Sequence, residues 1–146
     1  MLRRLVNAGP MVPPFYTQYL LVIINFQVFF INPAMRSKSA LIVDEVTLTF
    51  SQLTEMAEAY VRRFAGLGVG SGQRVCLFMG NRVEPAGLYL ACFRLGAVAV
   101  PLSCYYKPDE VKYAVAHCDG RFLIVEPELV SGVANMAFLL ILEINC

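Results

Sequence analysis

A chain of 146 residues with 58% apolar side chains has room for one domain that buries about 70% of its unfolded surface. Its net charge of +1 recruits neither nucleic acid nor anionic lipid in bulk, and no Lys/Arg cluster interleaves with aromatics as a nucleic-acid reader requires. Only 16% of residues are charged, fewer than in an ordinary soluble domain, so part of the apolar excess is expected to meet a partner surface or a membrane.

Residues 1–36 form an atypical apolar N-terminal segment whose only charges are Arg3, Arg4 and Arg36, and the first acid of the chain is Asp44. Tyr19 to Ile31 is an apolar run interrupted by Asn25 and Gln27, shorter than the roughly 20 apolar residues of a spanning helix. It begins late for a secretory signal and lacks a small-x-small cleavage site. The acid-free, arginine-bearing start suits a mitochondrial transit peptide except that serine is scarce. A transit segment, a membrane contact through Tyr19–Ile31 and a buried or interfacial segment all stay open. The expected location is intracellular, in cytoplasm or mitochondrion, with membrane association through this run left open.

Residues 37–127 are patterned. Ala40–Glu45 and Thr47–Phe50 read as two short strands around a turn. Thr49-x-x-Gln52 fits a capping box, with Leu48 and Leu53 placed to staple across it. In the helix that follows, Leu53, Met56, Ala57, Tyr60, Val61, Phe64 and Leu67 fall at spacings of three and four, which gathers them on one face. Gly66, Gly68, Gly70 and Gly72 end it. A strand at Val75–Met79, a helix over Glu84–Leu95, a strand at Ala97–Pro101, a helix from Pro108 and a strand at Phe122–Glu126 complete an alternation. That rhythm predicts an α/β fold: a mainly parallel sheet flanked by helices, with right-handed crossovers and the strand before the first helix included.

Residues 128–146 lose the pattern and form an apolar C-terminal tail. Met136–Ile144 is too short to span a bilayer and reads as another buried element or as a replacement tail.

Candidate chemistry is sparse. The glycines of Gly66–Gly72 follow a helix and precede a strand, the reverse of a dinucleotide loop, so they read as a helix cap and turn. There is no Gly-x4-Gly-Lys-Ser/Thr loop and no Gly-x-Ser-x-Gly elbow. Asp109 and Glu110 are adjacent and point apart on a helix, which suits a first turn better than an acid–base pair. Tyr105 and Tyr106 are expected to pack beneath the sheet rather than line a cleft. The cysteines, at 76, 92, 104, 118 and 146, are odd in number without short paired spacing, which favours free thiols in a reducing compartment. His117 beside Cys118 lacks the four ligands of structural zinc and reads as a core or helix-end residue. No catalytic, cofactor-binding or metal-ligating residue is assigned.

Four segments in order do carry a resemblance. Leu48-Thr-Phe-Ser-Gln-Leu53 is similar to the early Leu-Thr-Tyr-x-Glu-Leu element of the adenylate-forming (AMP-binding) ligases. Gly68-Val-Gly-Ser-Gly-Gln-Arg-Val75 resembles their Gly-Val-x-x-Gly-Asp-x-Val turn, with Gln73 where an acid is usual. Arg94-Leu-Gly-Ala-Val-Ala-Val-Pro-Leu102 and Tyr106-Lys-Pro-Asp-Glu-Val-Lys-Tyr113 match the strand and helix that follow. Residues 37–127 are thus identified as an N-terminal fragment of an acyl-CoA synthetase-like ligase domain. The resemblance implies an intact enzyme that uses ATP, Mg²⁺ and CoA to turn a fatty or other carboxylic acid into an acyl-adenylate and then a thioester. It carries no catalytic residue over, because the matched segments are scaffold. The Ser/Thr/Gly-rich phosphate loop ending in Pro-Lys-Gly, the later acid, the ribose aspartate and the C-terminal-domain lysine do not occur in this sequence. The isolated chain is therefore expected to be inactive and to need no cofactor. The alternative is a non-catalytic module that associates with a full-length ligase or a membrane.

Overall fold

The computed structural model describes residues 33–134 and 140–143. The chain divides into two compact units at Lys38/Ser39. In the first, the described residues make a 3-10 turn, Pro33–Met35, closed by Arg36 N donating to Pro33 O at 3.3 Å, and Lys38 N then donates to Met35 O at 2.9 Å. The apolar run Tyr19–Ile31 lies outside the described residues.

The second unit opens with a hairpin, β1 (Ser39–Val43) and β2 (Val46–Thr49), paired antiparallel with Val43 opposite Val46. Asp44 takes a left-handed φ of 51°, the conformation a two-residue turn demands. This hairpin is a separate two-stranded sheet. The expectation that the strand before the first helix joins the parallel sheet is therefore wrong. The tight turn returns β2 along β1, and β2 takes β1 as its ladder partner rather than a strand of the main sheet.

Helix α1 (Phe50–Gly66) starts as the sequence predicts: Gln52 N donates to Thr49 Oγ1 at 3.3 Å, and Thr49 N donates to Gln52 Oε1 at 2.8 Å. It buries Phe50, Leu53, Ala57 and Phe64. Its end is a Schellman motif, with Gly68 left-handed (φ 79°), Gly68 N bonded to Ala65 O and Val69 N to Phe64 O. The glycines thus serve chain geometry.

Strand β3 (Arg74–Phe78), helix α2 (Glu84–Leu95), β4 (Val98–Leu102), helix α3 (Pro108–His117), β5 (Phe122–Val125), the short helix α4 (Val130–Val133) and β6 (Leu140–Glu143) follow. The sheet order is β4-β3-β5-β6, all parallel. Its fourth strand comes from Leu140–Glu143, in the stretch where the sequence shows no strand pattern, so the open choice there falls to a sheet element. The period-two alternation of β3 sorts the core into two layers. Val75 and Leu77, with Phe122 and Ile124 of β5, meet Phe64 of α1 and Leu88, Ala91 and Cys92 of α2. Cys76 and Phe78, with Leu123 and Val125, meet Val111 and Val115 of α3 and Val133 of α4. The chain steps from β3 outward to β4 and then back across β3 to β5, so crossovers of one hand must place α2 and α3 on opposite faces.

The expectation for Tyr105 and Tyr106 fails: they are 91% and 42% exposed. They follow the end of β4, an edge strand of the sheet, so no further strand brings a helix over them. His117 sits exposed in the last turn of α3, its ring stacked on Tyr113 at 5.6 Å, and Asp109 and Glu110 occupy that helix's first turn.

Candidate functional site

In an open parallel sheet, ligands gather beyond the carboxyl ends of the strands, where the strand order reverses. Here that point lies between β3 and β5, and both strands run straight into charged residues. After Phe78 the chain continues Met79-Gly80-Asn81-Arg82 into α2, whose first residue is Glu84; after Val125 it continues Glu126-Pro127-Glu128. Gly80 N donates to Glu126 Oε2 at 3.0 Å, tying the two strand ends together. The Arg82 guanidinium faces all three carboxylates, at 3.5 Å from Glu84, 4.0 Å from Glu126 and 3.5 Å from Glu128. Glu84 is buried, with the N-terminus of α2 behind it, where helix amides favour a negative charge.

Among the described residues, three carboxylates face one guanidinium at this edge. Met79, Arg82, Glu84 and Glu126 line a depression with room for a water-sized group. It holds neither a nucleotide nor an acyl chain. An anionic phosphate would also have to displace three carboxylates from Arg82, and the described residues contain no group of three side chains spaced to hold a metal ion. Met79, Arg82, Glu84 and Glu126 therefore do not make a site for ATP or Mg²⁺ at this edge. The arrangement fixes the β3–α2 and β5 loops, and no nucleophile and base pair up in it.

Sequence reasoning named no site residue and missed Arg82, Glu84 and Glu126 as a group. Charged residues soon after each of two buried strands, Glu126 directly after β5 and Arg82 four residues after β3, were the available signal, but their meeting depends on β3 and β5 being neighbours although β4 lies between them in the chain.

The comparisons agree with the fold. A family model described as AMP-binding enzyme matches residues 32–140. A medium/long-chain-fatty-acid–CoA/3-oxocholest-4-en-26-oate–CoA ligase of Mycobacterium marinum is 31% identical over 103 residues, 70% of this chain and 19% of that protein. The acyl-CoA ligase sidI of Aspergillus fumigatus is 31% identical over 81 residues, 56% of this chain and 14% of the relative. The chain thus spans less than a fifth of the length of either. Among solved structures, an anthranilate CoA ligase, AuaEII, in complex with anthranoyl-AMP, superposes with a TM-score of 0.73 at 28% identity over 84% of this chain and 24% of its own. A benzoate CoA ligase of Burkholderia xenovorans gives a TM-score of 0.74 over 82% of this chain, and at 24% identity it supports the fold alone. A parallel sheet with helices on both faces, four sequence elements in the expected order and a family match over most of its length place this chain in the AMP-binding enzyme family, as a partial N-terminal subdomain of the acyl-CoA synthetase-like fold.

Proposed function

We propose that the chain is scaffold from an ATP-dependent carboxylic acid–CoA ligase and that it does not complete the reaction alone. The intact enzyme would convert a fatty or aromatic carboxylate into an acyl-adenylate, releasing pyrophosphate, and then into a CoA thioester. A carboxylate is a poor electrophile until one oxygen becomes a leaving group, and the charge on the phosphates must be held while that happens. The supporting observation is the 84% coverage of this chain by a CoA ligase whose own length is covered only to 24%. Among the described residues, the switch-point edge sets three carboxylates around one guanidinium beside a water-sized depression, a poor seat for triphosphate. ATP–pyrophosphate exchange with a panel of fatty and aromatic acids tests the reading: the purified chain should show no exchange, and acid-dependent exchange would refute it.

A second reading, a non-catalytic module that binds a membrane or a full-length ligase inside the cell, draws on the exposure of Phe93 (58%), Tyr105 (91%) and Tyr113 (69%). Among the described residues no helix is long and apolar enough to cross a membrane. Vesicle pelleting of the chain with and without residues 1–36 separates the two readings. Binding that is lost on truncation supports the module, and no binding by either form supports an inert scaffold.

A further inference from the structure

The fold brings together two cysteines that lie far apart in sequence. Cys76 is the third residue of β3, fully buried on the face covered by α3; Cys118 is the C-cap of α3. Their sulfurs are 3.6 Å apart, in van der Waals contact. Both are held by rigid structure. Cys76 lies in the ladder between β4 and β5, while Cys118 N donates to Ala114 O at 3.1 Å and its carbonyl accepts from Arg74 Nε at 2.8 Å. Gly120 makes the contact sterically feasible: a Cβ there would stand 2.7 Å from Cys76 Sγ and 3.3 Å from Cys118 Sγ. Cys92 belongs to the opposite core layer and Cys104 follows β4, so neither shares this pocket.

We propose that Cys76 and Cys118 form an oxidisable dithiol site that hydroperoxides convert to an intramolecular disulfide, joining the middle of β3 to the end of α3. Cys118 is the half-buried member and reacts first. Its thiolate attacks one peroxide oxygen, the O–O bond breaks, and the departing hydroxide (alkoxide from an organic hydroperoxide) takes up the proton the Cys118 thiol released, leaving a Cys118 sulfenic acid and one water or alcohol. The Cys76 sulfur then attacks the sulfenic sulfur; the S–S bond forms, the S–O bond breaks, and the departing hydroxide takes the Cys76 proton as a second water. Two thiols lose two electrons and one peroxide gains them. The sulfurs must close from 3.6 Å to about 2.05 Å for the bond to form. Burial, and then the neighbouring Cys118, push the Cys76 thiol up to about 12, so the second step is slow; it consumes no oxidant, and excess peroxide would only carry the sulfenic acid on to sulfinic acid.

The test uses the unsubstituted full chain, incubated with equimolar hydrogen peroxide, alkylated in denaturant, digested without reductant and mapped by mass spectrometry. The expected result is a peptide pair joined through Cys76 and Cys118, lighter by two hydrogens than the separate peptides, and dominant over any pair containing Cys92, Cys104 or Cys146. In Cys118→Ser, Cys76 should remain fully alkylatable after the same treatment. Sulfinic acid accumulating on Cys118 while Cys76 stays free would overturn the proposal, as would scrambled pairs or no loss of thiols. The map of the unsubstituted chain decides the matter even if the variant fails to fold.

Discussion

Arg74 Nε donates to the carbonyl of Cys118 at 2.8 Å, a bond that ties the first residue of β3 to the C-cap of α3, 44 positions away. The same guanidinium donates to Asp119 O at 3.2 Å and Gly72 O at 3.1 Å, and lies 3.4 Å from the Asp119 carboxylate. The last carbonyls of a helix lack intrahelical donors, and a cation there also meets the negative end of the dipole. Arg74→Ala should therefore destabilise the chain by about 1–2 kcal/mol, the lower part of the range for charged hydrogen bonds because the side chain is 37% exposed. Arg74→Lys should recover little, since an ammonium lacks the fork that reaches three carbonyls at once. Urea midpoints at unchanged m-value measure both, and equal stability of Arg74→Lys and the unsubstituted chain would sink the argument.

The capping box at the start of α1 makes a second expectation. Thr49→Ala removes the acceptor for Gln52 N and should cost about 1 kcal/mol, while Thr49→Ser or Thr49→Asp should keep most of the stability. Gln52→Ala removes the acceptor for Thr49 N and for the Thr49 hydroxyl, both at an exposed position, while the bond from the Gln52 amide to Thr49 Oγ1 stays, and it should cost less. Thermal melts of the four variants give the order. Gln52→Ala costing more than Thr49→Ala would show that the cap is not what fixes this helix.

The cap was legible in the sequence because all its parts lie within four residues, and so was the apolar face of α1, which repeats every three to four. The strands β3 and β5 were legible as short apolar runs. What was not legible depends on which strands become neighbours. Nothing local in Leu140–Glu143 says that it will pair with β5, and nothing in the hairpin says that it will stay apart from the main sheet. Arg82, Glu84 and Glu126 converge for the same reason: the order β4-β3-β5 sets the ends of β3 and β5 side by side across an intervening strand and helix. The contact between Cys76 and Cys118 belongs with them, since 42 residues separate the two and Gly120 alone opens the space.

That space yields a third prediction. Gly120→Ala places a methyl 2.7 Å from Cys76 Sγ and 3.1 Å from Val115 Cγ1, both in a filled core layer. Overpacking of this kind costs about 1–3 kcal/mol. The double variant Gly120→Ala/Cys76→Ala should recover stability relative to Gly120→Ala, because the added methyl then has somewhere to go. Additive losses in that cycle, read from urea midpoints, would mean that the strain lies elsewhere.

Alkaline pH gives the fourth. Burial raises the Cys92 thiol from 9.0 to about 11, and burial together with Cys118 raises Cys76 to about 12. Above about pH 9 the unfolded chain releases these protons while the folded chain keeps them, so the unfolded state binds fewer protons and stability falls as pH rises. The contribution is fully present below pH 9 and is lost through pH 11 for Cys92, with a slope of about 1.4 kcal/mol per pH unit for each thiol. Tyrosines and lysines titrate in the same window, so the comparison must be between chains that differ by one sulfur. Cys92→Ala should be less stable than the unsubstituted chain at pH 8, because it leaves a small cavity in the α1–α2 layer. Between pH 9 and 11 its urea midpoint should fall less steeply, so the two curves converge. Parallel curves across that window would show that the Cys92 thiol ionises as freely inside the fold as outside it.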